Sequence, residues 1–263
     1  EEKALLEDVT IEQQTEKSDN KTPIENSGPE KEPVINNIES SILPEDIIEE
    51  LLNNARIFQN DKKYDLALKN FNKTVSLLEK SNNEPLLASV LCEIANLYCH
   101  VENFDEAFSL FNKALSIYKK LNNIQGVINT QINIANLNNE LYKHDQALEI
   151  YYSVLNSGTI NQTQKFETLI GLGDVYDHRN QIESAIQYYE QALSVANNVN
   201  CPELLAKLYF KLALIYDDIG EFDKASKFYL KNINISDETL NNKYLAASYA
   251  NYAAIAEENG NIH

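Results

Sequence analysis

The stretch Glu93-Ile94-Ala95-Asn96-Leu97-Tyr98, followed after four residues by Asn103-Phe104-Asp105-Glu106-Ala107, decides the fold. Its small residue Ala95 belongs to a series, Ala55, Ala95, Ala135, Gly173, Ala213 and Ala253, spaced by 40, 40, 38, 40 and 40 residues. Twelve residues after each of the first five stands another alanine: Ala67, Ala107, Ala147, Ala185 and Ala225. Four further on comes an aromatic each time: Phe71, Phe111, Tyr151, Tyr189 and Tyr229. Three residues after the first small residue, Phe58, Tyr98, Tyr176 and Tyr216 keep an aromatic, while Asn138 and Ala256 do not. Self-similarity of this period marks a stacked repeat, whose units complete each other's core.

Each unit reads as two antiparallel helices, packed where small residues let the backbones approach and aromatics fill the flanking gaps. The chain holds only 7 Gly and 6 Pro, and Pro23, Pro29, Pro33 and Pro44 fall in its first 44 residues, so the remainder is expected to be helical. In the fifth unit the turn reads Asp218-Ile219-Gly220-Glu221-Phe222-Asp223, with Gly220 suited to the left-handed cap that ends a helix. Asp65, Asp105, Asp145, Glu183 and Asp223 recur where an acidic side chain meets the positive end of the second helix. Pro85 and Pro202 open later units, as proline does in a first helical turn. A third small position reads Thr74, Ala114, Val154, Ala192 and Asn232, and the asparagine predicts looser packing late in the fifth unit. The sixth unit has a first helix near 244–258 and no second before His263, so either that helix is the cap or, the favoured reading, the array is longer.

On these residues the chain resembles the tetratricopeptide repeat family over 46–263, in the variety of about 40 residues seen in kinesin light chains, the Leu-Gly-Asn polarity proteins and bacterial peptide-sensing regulators. The resemblance implies an all-α, right-handed superhelical solenoid over residues 45–263, with about five and a half repeats. It also implies a scaffold that binds proteins or peptides rather than an enzyme. The alternatives are a peptide-sensing regulatory module and a structural subunit that self-associates through its terminal helix, where Tyr244, Tyr249 and Tyr252 stand.

Residues 1–44 carry 11 Asp/Glu and 4 Lys, no aromatic residue and a polar, proline-bearing middle, and are read as a disordered acidic tail or linker. A net charge of −18 repels phosphate backbones and anionic lipid surfaces, which argues against nucleic acid and membrane as partners. No apolar run reaches the length of a membrane span. Three cysteines, Cys92, Cys99 and Cys201, suit a reducing, cytoplasmic setting.

The resemblance places ligand contacts on the first helices, which line the concave face. Two residues before the small position lie Asn53, Glu93, Asn133, Gly171, Lys211 and Asn251; one after it lie Arg56, Asn96, Asn136, Asp174, Leu214 and Ala254. An Asn amide both donates and accepts, so a series of them can hold the backbone of an extended peptide whatever its side chains. Asn53, Asn96, Asn133 and Asn136 fit that role; a compositional surplus, Asn being 34 of 263 residues, accounts for them equally well. Arg56, His100, Asp174, Asp177, Lys207 and Lys211 complete the candidate set. The acids gathered near Asp174, Asp177, Asp217 and Asp218 read either as a site for a basic ligand segment or as a solvated face. The basic clamp with which chaperone-binding relatives grip a carboxylate is not reproduced.

No catalytic constellation emerges. Cys92 and Cys99 lie about 10 Å apart along one helix, which excludes a disulfide between them within it. With His100 and Glu93 they match no zinc spacing. His144 stands where Tyr64, Phe104 and Phe222 stand in other units and reads as packing. Gly171-Leu172-Gly173 lies inside a helix, with no lysine-serine to make a phosphate loop. No cofactor, metal or catalytic residue is expected.

Overall fold

The computed structural model describes residues 44–196, 199, 201–239 and 244–258. The chain divides into two units, Glu1–Ser41 and Ile42–His263, and the tail expected over 1–44 falls almost wholly outside the described residues. The second unit is built of helices: α1 (Pro44–Asn60), α2 (Tyr64–Ser81), α3 (Glu84–His100), α4 (Phe104–Lys120), α5 (Ile124–Glu140), α6 (His144–Leu155), α7 (Gln162–His178), α8 (Ile182–Val195), α9 (Pro202–Asp218), α10 (Phe222–Thr239) and α11 (Leu245–Glu258). Among the described residues none forms a strand. The architecture is the expected all-α solenoid of antiparallel pairs: α1 packs on α2, α3 on α4, α5 on α6, α7 on α8 and α9 on α10.

The three-residue turns inside the five pairs share one geometry. Lys62, Glu102, Tyr142, Asn180 and Gly220 all take left-handed backbone, with φ of 60°, 59°, 58°, 56° and 76°. The next residue then donates its N–H back to a first-helix carbonyl: Lys63 to Phe58, Asn103 to Tyr98, Lys143 to Asn138, Gln181 to Tyr176 and Glu221 to Tyr216, at 2.8–2.9 Å. These bonds satisfy carbonyls that a helix end leaves open. Only the fifth turn uses glycine, so the other four bear roughly 1 kcal/mol of backbone strain each. Between pairs, Asn82 and Asn122 are also left-handed at φ 53°. Asn83, Asn123 and Asn161 cap α3, α5 and α7, accepting from the amides of Leu86, Gly126 and Gln164. A share of the asparagine surplus therefore serves turns and caps.

The core follows the repeat register. Ala55, Ala95, Ala135 and Ala213 are fully buried, as are Ala67, Ala107, Ala147, Ala185 and Ala225 and the aromatics Phe71, Phe111, Tyr151, Tyr189 and Tyr229. Each buried ring contributes about 2–3 kcal/mol of apolar burial. Gly171 and Gly173 make room for rings: a methyl at 171 would overlap Tyr151 and one at 173 would overlap Tyr189. The third small position is buried throughout, Asn232 included.

The looser packing expected at Asn232 is absent. Its amide donates to the Ala206 carbonyl at 2.6 Å and accepts from Ser248 Oγ at 2.9 Å, so one buried side chain ties α10 to both α9 and α11. A fully bonded polar group fills the position that an alanine fills elsewhere. At the sixth unit, by contrast, Ala253 is exposed where its counterparts are enclosed, because no second helix covers α11 among the described residues.

Candidate functional site

The first helices of successive pairs adjoin one another: α3 packs on α5, and α5 on α7. At two junctions their polar rows meet with the same offset, the residue after one small position reaching the residue two before the next. Arg56 of α1 grips Glu93 of α3 through two bonds, Nε to Oε2 at 2.9 Å and Nη2 to Oε1 at 2.8 Å. Asp174 of α7 meets Lys211 of α9 at 3.3 Å by the same offset, and Lys207, one turn earlier, donates to Asp174 at 2.8 Å. Four of the candidate residues are thereby committed to pairs between units.

The second helices supply phenols to the same face. Tyr151 donates to Asn136 Oδ1 at 2.5 Å and Tyr189 to Asp174 Oδ1 at 2.7 Å. In the fifth unit Leu214 replaces the polar residue, and Tyr229 turns instead to Asp217 at 3.1 Å while accepting from Asn251 at 2.9 Å. Phe71 and Phe111 lack the hydroxyl, and beside them the row carries Arg56 and Asn96.

Asp174 is a buried carboxylate. Burial pushes its carboxyl up, but Lys207, Lys211 and the hydrogen bonds from Lys207 and Tyr189 outweigh that and hold it at about 2. Burial in turn pulls Lys207 down, and Asp174 more than offsets it, so the pair stays ionised. Asp177, half-buried nearby, is raised by burial against the pull of Lys211.

A cleft of about 220 Å³ opens between α5, α7 and α9, lined by Asn133, Asn136, Glu167, Ile170, Leu204 and Lys207. It gathers three of the candidates. Asn53 and Arg56 line a separate hollow of about 260 Å³ beside Ile48, Leu52 and Leu86. Asn96 is exposed on α3 between them in the register. Asn53, Asn96 and Asn133 make no hydrogen bond among the described residues, which leaves their amides open. Glu167 is the groove residue that the sequence rows miss. It stands six before Gly173, as Lys207 stands six before Ala213, and that recurrence was the available signal.

His100 sits at the turn edge, its ring stacked on Tyr64 of α2 at 6.4 Å between centroids. His178 stands in the same register against His144, at 6.0 Å, and both rings reach Asn139 Oδ1 through Nδ1, at 3.3 and 3.0 Å. His144 thus packs as expected, with Tyr142 against its edge. Burial lowers its titration, helped by Arg179 and His178. The cysteines are unpaired; burial raises Cys92, and burial with Glu140 pushes Cys99 up to about 11. Among the described residues no three His, Cys, Asp or Glu side chains are grouped so that they could hold a metal ion, and no helix is long and apolar enough to cross a membrane.

A family model described as Tetratricopeptide repeat matches residues 48–120, 86–158 and 126–198, and a second so described matches 206–239. Among curated proteins none matches the chain significantly. The fold is similar to that of a Rap protein complexed with Competence and Sporulation Factor, with a TM-score of 0.69 and 21% identity over 80% of this chain and 60% of that one. It is also similar to the Rap conjugation gene regulator of the plasmid pLS20 in complex with the Phr* peptide: TM-score 0.73, 18% identity, 81% of this chain and 60% of that one. Kinesin light chain repeats of Podosopora anserina, described as nearly identical and TPR-like, align with a TM-score of 0.52 and 18% identity over 76% of this chain and 99% of that one. The chain therefore spans about 60% of the length of the two Rap structures.

Proposed function

We propose that this chain, which belongs to the tetratricopeptide repeat family, is a non-enzymatic protein-interaction module that holds an extended peptide segment along its first helices. One observation carries the reading. Asn53, Asn96 and Asn133 repeat along the groove with amides unused by the fold, and Asn133 lines a cleft large enough for a side chain. Each amide offers a donor and an acceptor to a peptide backbone, at spacings fixed by the packed helices. Asn136 contributes less, because its carbonyl oxygen already accepts from Tyr151. The Phr* peptide held by the pLS20 Rap regulator, whose fold is similar, supports this occupant.

The test is affinity selection from a randomised peptide library by the full chain and by an Asn96→Ala/Asn133→Ala variant. Neither substitution removes a hydrogen bond of the fold, so helicity should be retained. Selected peptides should bind the variant at least tenfold more weakly, since two hydrogen bonds at about 1 kcal/mol each are lost. Undiminished binding to a folded variant would sink the proposal.

Self-association is a second reading, favoured by the exposure of Ala253, Ala254 and Tyr249 on α11. It requires the full chain to sediment as an oligomer that Tyr249→Glu dissociates; a concentration-independent monomer ends it.

A further inference from the structure

Glu167 is the charged group of the α5–α7–α9 cleft that makes no ion pair or hydrogen bond among the described residues. The ammonium of Lys207, which lines the same cleft, is committed to Asp174 at 2.8 Å, with Lys211 on the same carboxylate at 3.3 Å. Among the described residues Glu167 makes neither an ion pair nor a hydrogen bond. It is half-buried, and burial raises its carboxyl against the counter-pull of Lys207. A carboxylate held in this way gains from any cation that reaches it.

The field of the chain as a whole has the sign to attract one, since its net charge is −18. Ile170 and Leu204 give the cleft an apolar side against which a long aliphatic stem can lie while its charged head reaches the acid. The same face already shows how it grips a guanidinium: Glu93 holds Arg56 bidentately at 2.8 and 2.9 Å.

Resting on the groove reading above, we infer that the cleft receives an arginine side chain of the bound peptide, its guanidinium against Glu167 and its stem along Ile170 and Leu204. Arginine fits better than lysine because its planar fork matches a carboxylate bidentately and is more weakly hydrated, so it enters a half-buried site at lower cost. Its remaining N–H groups face the amide oxygen of Asn133, whose acceptor is unused.

The test uses N-acetylated, C-amidated peptide libraries with one central residue fixed as arginine, lysine, citrulline or leucine and the flanks randomised. Blocking the N-terminus removes the competing ammonium. Recovery is measured on the full chain, on Glu167→Gln and on Glu149→Gln, an exposed carboxylate on α6 that controls for net charge. Arginine peptides should be recovered at least tenfold over citrulline peptides by the unaltered chain and by Glu149→Gln, and no more than twofold by Glu167→Gln, which should still bind the leucine set. Recovery without arginine preference, or a preference that survives Glu167→Gln, overturns this inference and leaves the groove reading standing. Recovery of no peptide, or recovery indifferent to Asn96→Ala/Asn133→Ala, overturns both.

Discussion

Replacing Asp174 by asparagine keeps the shape of the side chain and its acceptor for Tyr189 but strips the charge that neutralises Lys207 and Lys211. The two ammonium side chains are 30% and 23% exposed, so solvent screens part of the resulting penalty. Breaking a fully buried pair costs about 3–5 kcal/mol, and the partial exposure brings the expected loss at pH 7 to about 2–3 kcal/mol. The pH dependence supplies a second figure. The Asp174 carboxyl sits at about 2 against an ordinary 3.8, a depressed acid whose contribution is complete above pH 4 and is lost as pH falls through 2. At 1.36 kcal/mol per pH unit that contribution is about 2.5 kcal/mol, in agreement with the substitution figure. Glu167 and Asp177, raised by burial, act with the opposite sign, so the informative quantity is the gap between the two proteins. Urea unfolding followed by circular dichroism should show a constant gap from pH 7 to 4.5 that closes toward pH 2. A gap that persists at pH 2, or no gap at pH 7, would show that the lysines do not depend on this carboxylate.

Other consequences are open to measurement. Asn232→Ala removes the link between α9, α10 and α11 and takes the acceptor from the buried Ser248 hydroxyl, so thermal unfolding should report a loss of about 2–3 kcal/mol, while a neutral result would mean that the network contributes nothing. Glu102→Gly relieves a left-handed residue and should stabilise the chain by about 0.5–1 kcal/mol in urea titration, whereas Gly220→Ala should destabilise it by about 1 kcal/mol; the reverse order would contradict the turn geometry. With its thiol pushed up to about 11 from an ordinary 9.0, Cys99 should react with iodoacetamide at pH 7.5 roughly 100-fold more slowly than a free thiol, and labelling at the free rate would refute its burial.

Much of this fold was legible because burial at a helix interface demands particular residue sizes at fixed intervals. The alanine and aromatic series gave the helix pairs, their register and their core. The turns were less visible, since four of the five left-handed positions are filled by Lys62, Glu102, Tyr142 and Asn180, which tolerate that backbone without advertising it as Gly220 does. Asn232 misled because a polar residue in an alanine position reads as a defect until Ser248 and the Ala206 carbonyl appear beside it. In the groove, the rows located the right face, yet sequence offsets carry no information about which charges cancel. Asp174 read as an acid available to a ligand, whereas Lys207 and Lys211 occupy it. Glu167, unmarked in those rows, is left open. Gly171 had no explanation until the ring of Tyr151 was placed against it, while Gly173, a small position of the repeat, makes room for Tyr189.

The groove itself is most directly tested by photo-crosslinking. Benzoyl-phenylalanine is placed at position 129, exposed on α5 in the register of Glu167 and Lys207, or at position 113 on α4, and each full-length protein is irradiated with a library-selected peptide. Groove binding predicts a peptide adduct from position 129 and none from position 113. An adduct from position 113 with none from position 129 would put the ligand on the second helices and contradict it.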